Sequence, residues 1–301
     1  MSKTLDPVPA PTGPDAAGAA AGEGVTDLAA VRAELDGIDD ALHDLLMRRA
    51  GLVARLAAAR IKAGVALRPG REASILRRLL GRHSGPLPRQ TIARIWRELL
   101  AATVGMQSGF VVAVCDTDAG AAYTQAAREH FGALTPLRVH RSPAQAMAEV
   151  SAGAAAVAVL PVPAEDEAAR DAWWTALLQK DEPRIHVVAR LPFWTPRAEG
   201  APRVPAFVVS AVPPDASGND RSLLGFEVAG DVSRARLAGA LVGAGLAPDG
   251  IILRRDPAAG VGHALVDVAG PITDDDPRLA GLAPVLQRPV VLGTYAVPIE
   301  G

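Results

Sequence analysis

The chain has 301 residues, enough for about two domains at roughly 150 residues each. Apolar residues make up 49% and charged residues 21%, and 31 Lys+Arg nearly balance 33 Asp+Glu for a net charge of −2, a globular composition that disfavours a broadly basic nucleic-acid binder. A single cysteine, Cys115, excludes an internal disulfide framework and any multi-cysteine zinc or iron–sulfur site.

In chain order, residues 1–24 are mostly Pro, Gly and Ala with few bulky side chains, and are expected to be disordered. They lack the pattern of a signal or transit peptide. With the lone cysteine this gives a cytoplasmic location as the expectation. No apolar run approaches the roughly 18 residues that cross a bilayer, so no membrane partner is expected, and the scattered histidines show no HExxH or similar ligand spacing, so no metal is expected.

From Thr26 and Asp27 a helical pattern runs without proline to Ala63, with Gly64 as a stop. About 37 residues of helix would span roughly 55 Å and usually need a partner chain. A second, shorter helix is predicted over 71–83, and a third after Pro88 to Gln107. From Gly109 the character changes. Phe110–Cys115, Leu137–His140, Ala155–Val159 and Ile185–Ala189 read as short buried strands, with helices near 119–130, 142–152 and 171–179. That alternation predicts a parallel α/β lobe. Residues 194–206 and 213–219, rich in Pro, Gly and polar residues, read as loops. Strands at Leu223–Val228, Gly250–Leu253, His263–Val268 and Val290–Tyr295, with helices near 233–245 and 277–286, then give a ferredoxin-like βαββαβ order.

Several arginines sit where a solvated surface does not need them. On the first helix Leu42, Leu45, Arg49, Leu52 and Leu56 recur at three and four residues, which places Arg49 in the apolar stripe. Arg60, eleven residues on, returns to nearly the same face, and Arg32 lies between Leu28 and Leu35 with Asp39 one heptad later. Glu72 heads the stripe Ile75–Leu76–Leu79 of the second helix, and Thr103 and Gln107 end the stripe of the third. Long arginines can snorkel or pair with nearby aspartates. Several cations with one glutamate on core faces point instead to an anionic ligand inside a helical bundle.

The segments VRAELDGIDDALHDLLMRRAGLVARLAAARIKAG, GREASILRRL and IARIWRELLAATVGMQ resemble the all-helical chorismate mutases over about residues 27–107. The resemblance rests on spacing: Arg32, Asp39 seven residues on, Arg49 ten beyond that, Arg60 eleven further, then Arg71-Glu72 and a terminal Gln107. It implies a homodimer intertwined through the long first helix, with chorismate as substrate and prephenate as product. It makes Arg32 the cross-subunit arginine and Arg49 the second carboxylate clamp. Arg60 stands where the family has a lysine at the ether oxygen, with Lys62 close by as a substitute. Arg71 and Glu72 match an Arg-Glu pair whose glutamate binds the substrate hydroxyl. Thr103 takes a place often held by serine, and Gln107 matches the glutamine facing the ether oxygen. Arg68 departs from the family's usual aspartate.

Pericyclic rearrangement of chorismate needs no nucleophile, proton shuttle, metal or cofactor. Catalysis must come from holding a folded conformer and stabilising charge on the breaking ether oxygen. Arginines suit the two carboxylates as bidentate clamps.

Residues 130–162, with WWTALL and RIHVVARLPF, resemble one lobe of prephenate dehydratase. The closing segment from DRSLLGFEV to RPVVLGTYAVP resembles the ACT module that binds phenylalanine, implying that amino acid as an effector. The family's Glu-Asn-Ser is Pro163-Ala164-Glu165 here, and its Thr-Arg-Phe is Pro205-Ala206-Phe207. Between Leu191 and Pro205 there is too little chain for a second dehydratase lobe. GALV at 239–242 falls late in its helix, and the second effector motif reads Arg254-Arg255-Asp256-Pro257.

The expected fold is therefore multidomain: a tail (1–24), an all-α intertwined mutase domain (25–108), a degenerate α/β lobe (109–214) and an α+β ferredoxin-like, ACT-like domain (215–301). The expected function is chorismate mutase. Two alternatives stay open, a bifunctional mutase–dehydratase and a non-catalytic regulatory protein that binds an aromatic effector. Trp173-Trp174 is expected to be a packing pair, Cys115 a core residue, and Asp274–Asp276 a turn or helix cap.

Overall fold

The computed structural model describes residues 27–59, 67–107, 109–117, 120–168, 171–256, 260–282 and 286–300. Arg60 and Lys62, and the tail at 1–24, lie outside the described residues. Helix α1 runs Leu28–Ala59 and buries none of its residues. Its leucines and Ile38 follow the helical period yet stand open: Leu35, Leu42, Leu45, Leu52 and Leu56 are each more than half exposed. Helix α2 (Pro69–Gly81) and α3 (Arg89–Gly105) follow, the first opened by Pro69 in its initial turn and the second closed near Gly105.

The α/β region begins with β1 (Val112–Cys115), α4 (Ala122–Phe131), β2 (Leu137–His140), α5 (Pro143–Ser151) and β3 (Val157–Pro161). A 3-10 helix, Trp173–Gln179, takes the place of the helix expected at 171–179. Then come β4 (His186–Leu191), the short β5 (Trp194–Thr195) and β6 (Ala206–Ser210). β1 pairs in parallel with β2 and β3, as the alternation predicted. The lobe is not wholly parallel, however, because β6 inserts between β3 and β4 and runs antiparallel to both. All five residues of β6 are buried, so it has no polar–apolar alternation to announce it. Bracketed by Pro205 and Pro213, the run FVVS lies outside the predicted strands.

The C-terminal part consists of β7 (Asp220–Ala229), α6 (Arg234–Gly243), β8 (Pro248–Asp256), β9 (Val261–Ala269), α7 (Pro277–Ala280), β10 (Gln287–Ala296) and β11 (Ile299–Glu300). β10, β7, β9 and β8 lie side by side in that order, each antiparallel to its neighbour. This is the ferredoxin-like topology expected from the βαββαβ order. α7 has four residues rather than ten and ends before Gly281; Asp276 caps it through the Arg278 N–H.

The two parts share one sheet. Its order is β2-β1-β3-β6-β4-β10-β7-β9-β8, and the join is a parallel pairing of β10 with β4 at Gly293 and Val187. A Cβ on Gly293 would fall 2.1 Å from the Val187 carbonyl oxygen, and the residue has φ +149°, so only glycine lets the backbones meet. A single core crosses the join, with Ala113, Leu160, Trp174 and Val187 beside Leu223, Leu265, Leu292 and Tyr295. Trp173 and Trp174 are buried, and their indole N–H groups donate to the Pro161 carbonyl and Glu167. Cys115 is buried too, its thiol pushed up to about 11 by burial and by Asp116 and Asp171, as a core residue should be.

Candidate active site

α2 is held at its start by a residue far along the chain. Arg68, which precedes the helix, makes no side-chain cap. The Asp215 carboxylate instead accepts the Gly70 N–H at 2.9 Å, the Arg71 N–H at 3.0 Å and Arg68 Nε at 3.1 Å. A carboxylate against free N–H groups at a helix start suits both the hydrogen bonds and the dipole. The approach is close: a Cβ on Gly70 would lie 2.1 Å from the Asp215 carbonyl oxygen. One helical face further on, Arg77 donates to the Ser217 carbonyl and hydroxyl, the Asn219 carbonyl and the Val297 carbonyl. Ala73 and Leu76 pack with Phe193 and Ala296. α2 is thus fastened to the 215–220 turn and to the end of β10.

Within this frame the Arg71 side chain is exposed while its backbone N–H is fixed. Glu72, one residue on, is drawn to α3, where Arg97 Nη1 donates to Oε2 at 3.1 Å. Both side chains are nearly out of solvent, at 14% and 9% exposure. Burial pushes the Glu72 carboxyl above its ordinary range; Arg97 opposes that and Asp215 adds to it. Burial likewise brings the Arg97 guanidinium down to about 10 despite Glu72. Arg97 engages Oε2, and among the described residues no hydrogen bond reaches Oε1.

At the far end of α3, the Thr103 hydroxyl donates to the carbonyls of Leu99 at 3.0 Å and Leu100 at 2.9 Å. With its proton so engaged, it faces any ligand as an acceptor. Gln107 Nε2 donates to the Thr103 carbonyl at 2.9 Å, which ties the terminal amide to the helix end; among the described residues its side chain makes no other hydrogen bond. On α1, Arg32 and Asp39 are exposed and Arg49 is half-buried, with burial lowering its guanidinium below the ordinary value.

The structure therefore brings Glu72 to α3 and holds Thr103 and Gln107 together. Arg97 was missed in the sequence, although its signal was there: Ala93, Arg97, Leu100 and Val104 are all buried on α3, the same pattern of a cation within an apolar stripe that singled out Arg49. Asp215 and Arg77 gave no such signal, one lying in a Pro-rich stretch read as a loop and the other on an ordinary helix flank.

Residues 31–108 match chorismate mutase type II. Curated proteins are similar to the chain as well. The bifunctional chorismate mutase/prephenate dehydratases of Stutzerimonas stutzeri and Pseudomonas aeruginosa are each 30% identical, over 172 and 173 residues, covering 53% of this chain and 47% of theirs. That of Neisseria gonorrhoeae is 35% identical over 69 residues, 23% of this chain and 19% of its own. The chain spans about half the length of the curated relatives it matches most extensively. Among solved structures, GqqA, described as a novel type of quorum quenching acylase, aligns at 21% identity and TM-score 0.47 over 62% of this chain and 95% of its own. A prephenate dehydratase from Streptococcus mutans aligns at 15% identity and TM-score 0.46 over 64% and 100%. The architecture is a helical segment, matched to chorismate mutase type II over residues 31–108, followed by an α/β region.

Proposed function

We propose that the chain is a chorismate mutase, isomerising chorismate to prephenate in the route to aromatic amino acids. The observation that carries the reading is the family match over 31–108, a segment that holds Arg32, Arg49, Glu72, Thr103 and Gln107 at the spacings the resemblance requires. In the reaction the ether C–O bond breaks as a C–C bond forms, so the protein supplies positioning and charge alone. In this reading Arg49, with Arg32 from a second chain, clamps the two carboxylates. Glu72 Oε1 accepts the ring hydroxyl while Arg97 fixes Oε2. Gln107 donates its second amide N–H to the ether oxygen as negative charge develops there. Arg60 or Lys62 supplies the cation at that oxygen, and Arg71, Asp39 and Thr103 complete the binding set.

The apolar face of α1 supports the homodimer. A helix of 32 residues that buries none of them leaves a stripe which a soluble monomer would not keep open, and a second α1 would cover it.

The sequence boundaries are kept as domains: a mutase domain at 25–108, an α/β lobe at 109–214 and an ACT-like domain at 215–301, the last taking phenylalanine as effector. A cytoplasmic location is part of the same reading; among the described residues no helix is long and apolar enough to cross a membrane. Dehydratase activity is the second reading. The 30% identity over 172 residues runs well past the mutase segment and favours it, whereas Pro205-Ala206-Phe207 in place of Thr-Arg-Phe weighs against it. Supplying the purified chain with chorismate and identifying the product separates the readings. Prephenate alone supports the mutase, phenylpyruvate adds the dehydratase, and no turnover leaves a regulatory protein.

A further inference from the structure

A cavity of about 540 Å³ lies between the first half of α3, α4 and the segment after β4, away from Thr103 and Gln107. Its size is that of a small-molecule site. Leu76, Leu191, Phe193, Trp194 and Ile299 give it apolar walls, and Arg97 lies among them with its guanidinium 4.6 Å from the Phe193 ring centroid.

The charges around it do not cancel. Arg197 is fully engaged, donating to both oxygens of Glu129 and to the Pro202 carbonyl. His130 adds no charge at neutral pH, since burial and Arg97 push its pKa well below the ordinary value. Glu98 accepts the Ala133 N–H. Three cations remain. Arg97 is 9% exposed and makes one hydrogen bond, to Glu72, among the described residues. Arg128 donates to the Ala133 carbonyl, and Arg94 stands exposed in the lining with no ion pair among the described residues. Against them stand Glu98 and Glu72, which leaves the site one positive charge in excess.

We infer that this cavity binds a small organic monocarboxylate with a flat apolar body, its carboxylate on Arg97 and Arg94 and its ring against Phe193 and Trp194. A buried guanidinium with unused N–H groups is suited to a bidentate carboxylate, the exposed arginines at the mouth draw anions in, and the aromatic walls take an offset ring. The inference shares Arg97 with the mutase reading, but Glu72, Thr103 and Gln107, which contact chorismate in that reading, lie outside the cavity lining.

The test is equilibrium dialysis or calorimetry on the full chain with 1-naphthylacetate, its uncharged isostere 1-naphthylacetamide, and inorganic phosphate. Saturable one-to-one binding of 1-naphthylacetate is expected, at least tenfold tighter than the amide or phosphate. Arg94→Glu, an exposed change that leaves the Glu72–Arg97 pair intact, should weaken it at least tenfold while the melting temperature stays within a few degrees. Arg128→Glu should act in the same direction. Absence of saturable binding up to about 10 mM, equal binding of the amide, equal binding of phosphate, or an unchanged affinity in Arg94→Glu would each overturn the inference.

Discussion

The Arg97 guanidinium of α3 donates to the Glu72 carboxylate of α2 across 3.1 Å, with both side chains largely withdrawn from solvent. A buried pair of this kind is costly to halve and cheap to replace whole. Arg97→Met, which strands the carboxylate, should destabilise the fold by about 3 kcal/mol. Arg97→Met with Glu72→Leu should return close to wild-type stability. Urea unfolding of the four proteins of this cycle checks it; additive losses in the double variant would contradict a coupled pair.

Asp215 reaches α2 from a loop nearly 150 residues away and serves as the cap its own sequence lacks. Asp215→Ala removes the acceptor of two helix N–H groups and should cost about 2 kcal/mol. It should also raise the KM for chorismate, because Arg71 and Glu72 follow directly on the capped turn. Denaturant midpoints and steady-state kinetics measure the two effects; a variant unchanged in both would show the contact to be idle.

Acid should loosen the join between the two halves of the sheet. Asp274 accepts from Lys180 and Arg184, and Arg184 also donates to the Val291 carbonyl of β10. Burial alone would raise the Asp274 carboxyl, but these two cations bring it down to about 2 from an ordinary 3.8. A depressed carboxyl stabilises the folded state above its unfolded value and loses that contribution as pH falls through the folded one. The contribution should therefore vanish between about pH 4 and about pH 2, and Asp274→Asn should flatten the fall of the melting temperature across that window. The same slope in wild type and variant would place the acid sensitivity elsewhere.

The first helix should form half of two sites at once. If each site takes Arg32 from one chain and Arg49 from the other, mixing inactive Arg32→Ala with inactive Arg49→Ala and allowing subunits to exchange should restore up to about a quarter of the wild-type sites by random pairing. Exchange proven by mass, with no return of activity, would contradict a site shared between chains.

Much of this was legible in the residues because the reporting pattern was local. Helices α1 to α3 followed from apolar spacing, and the order β10-β7-β9-β8 from a βαββαβ reading. Arg49, Glu72 and Gln107 stood out because a charge or amide on an apolar stripe is costly without a partner. What escaped was set by distant contacts. β6 is buried on every residue, so its sequence could not report its pairing, and its antiparallel insertion depends on β3 and β4 lying ready on either side. Asp215 looks like a loop residue until α2 is folded against it. The union of two predicted domains into one sheet rests on Gly293 meeting Val187, a close approach that one glycine permits but does not announce. Arg97 was legible by the rule that found Arg49, and only its partner needed the structure.

The most direct measurement sets the purified chain beside Arg49→Ala and follows chorismate consumption by each. Loss of a charged clamp in a dry site, near 3 kcal/mol, predicts wild-type turnover to prephenate and a fall in kcat/KM of at least about 100-fold in the variant. Equal rates, or no turnover by the wild-type chain, would contradict the account.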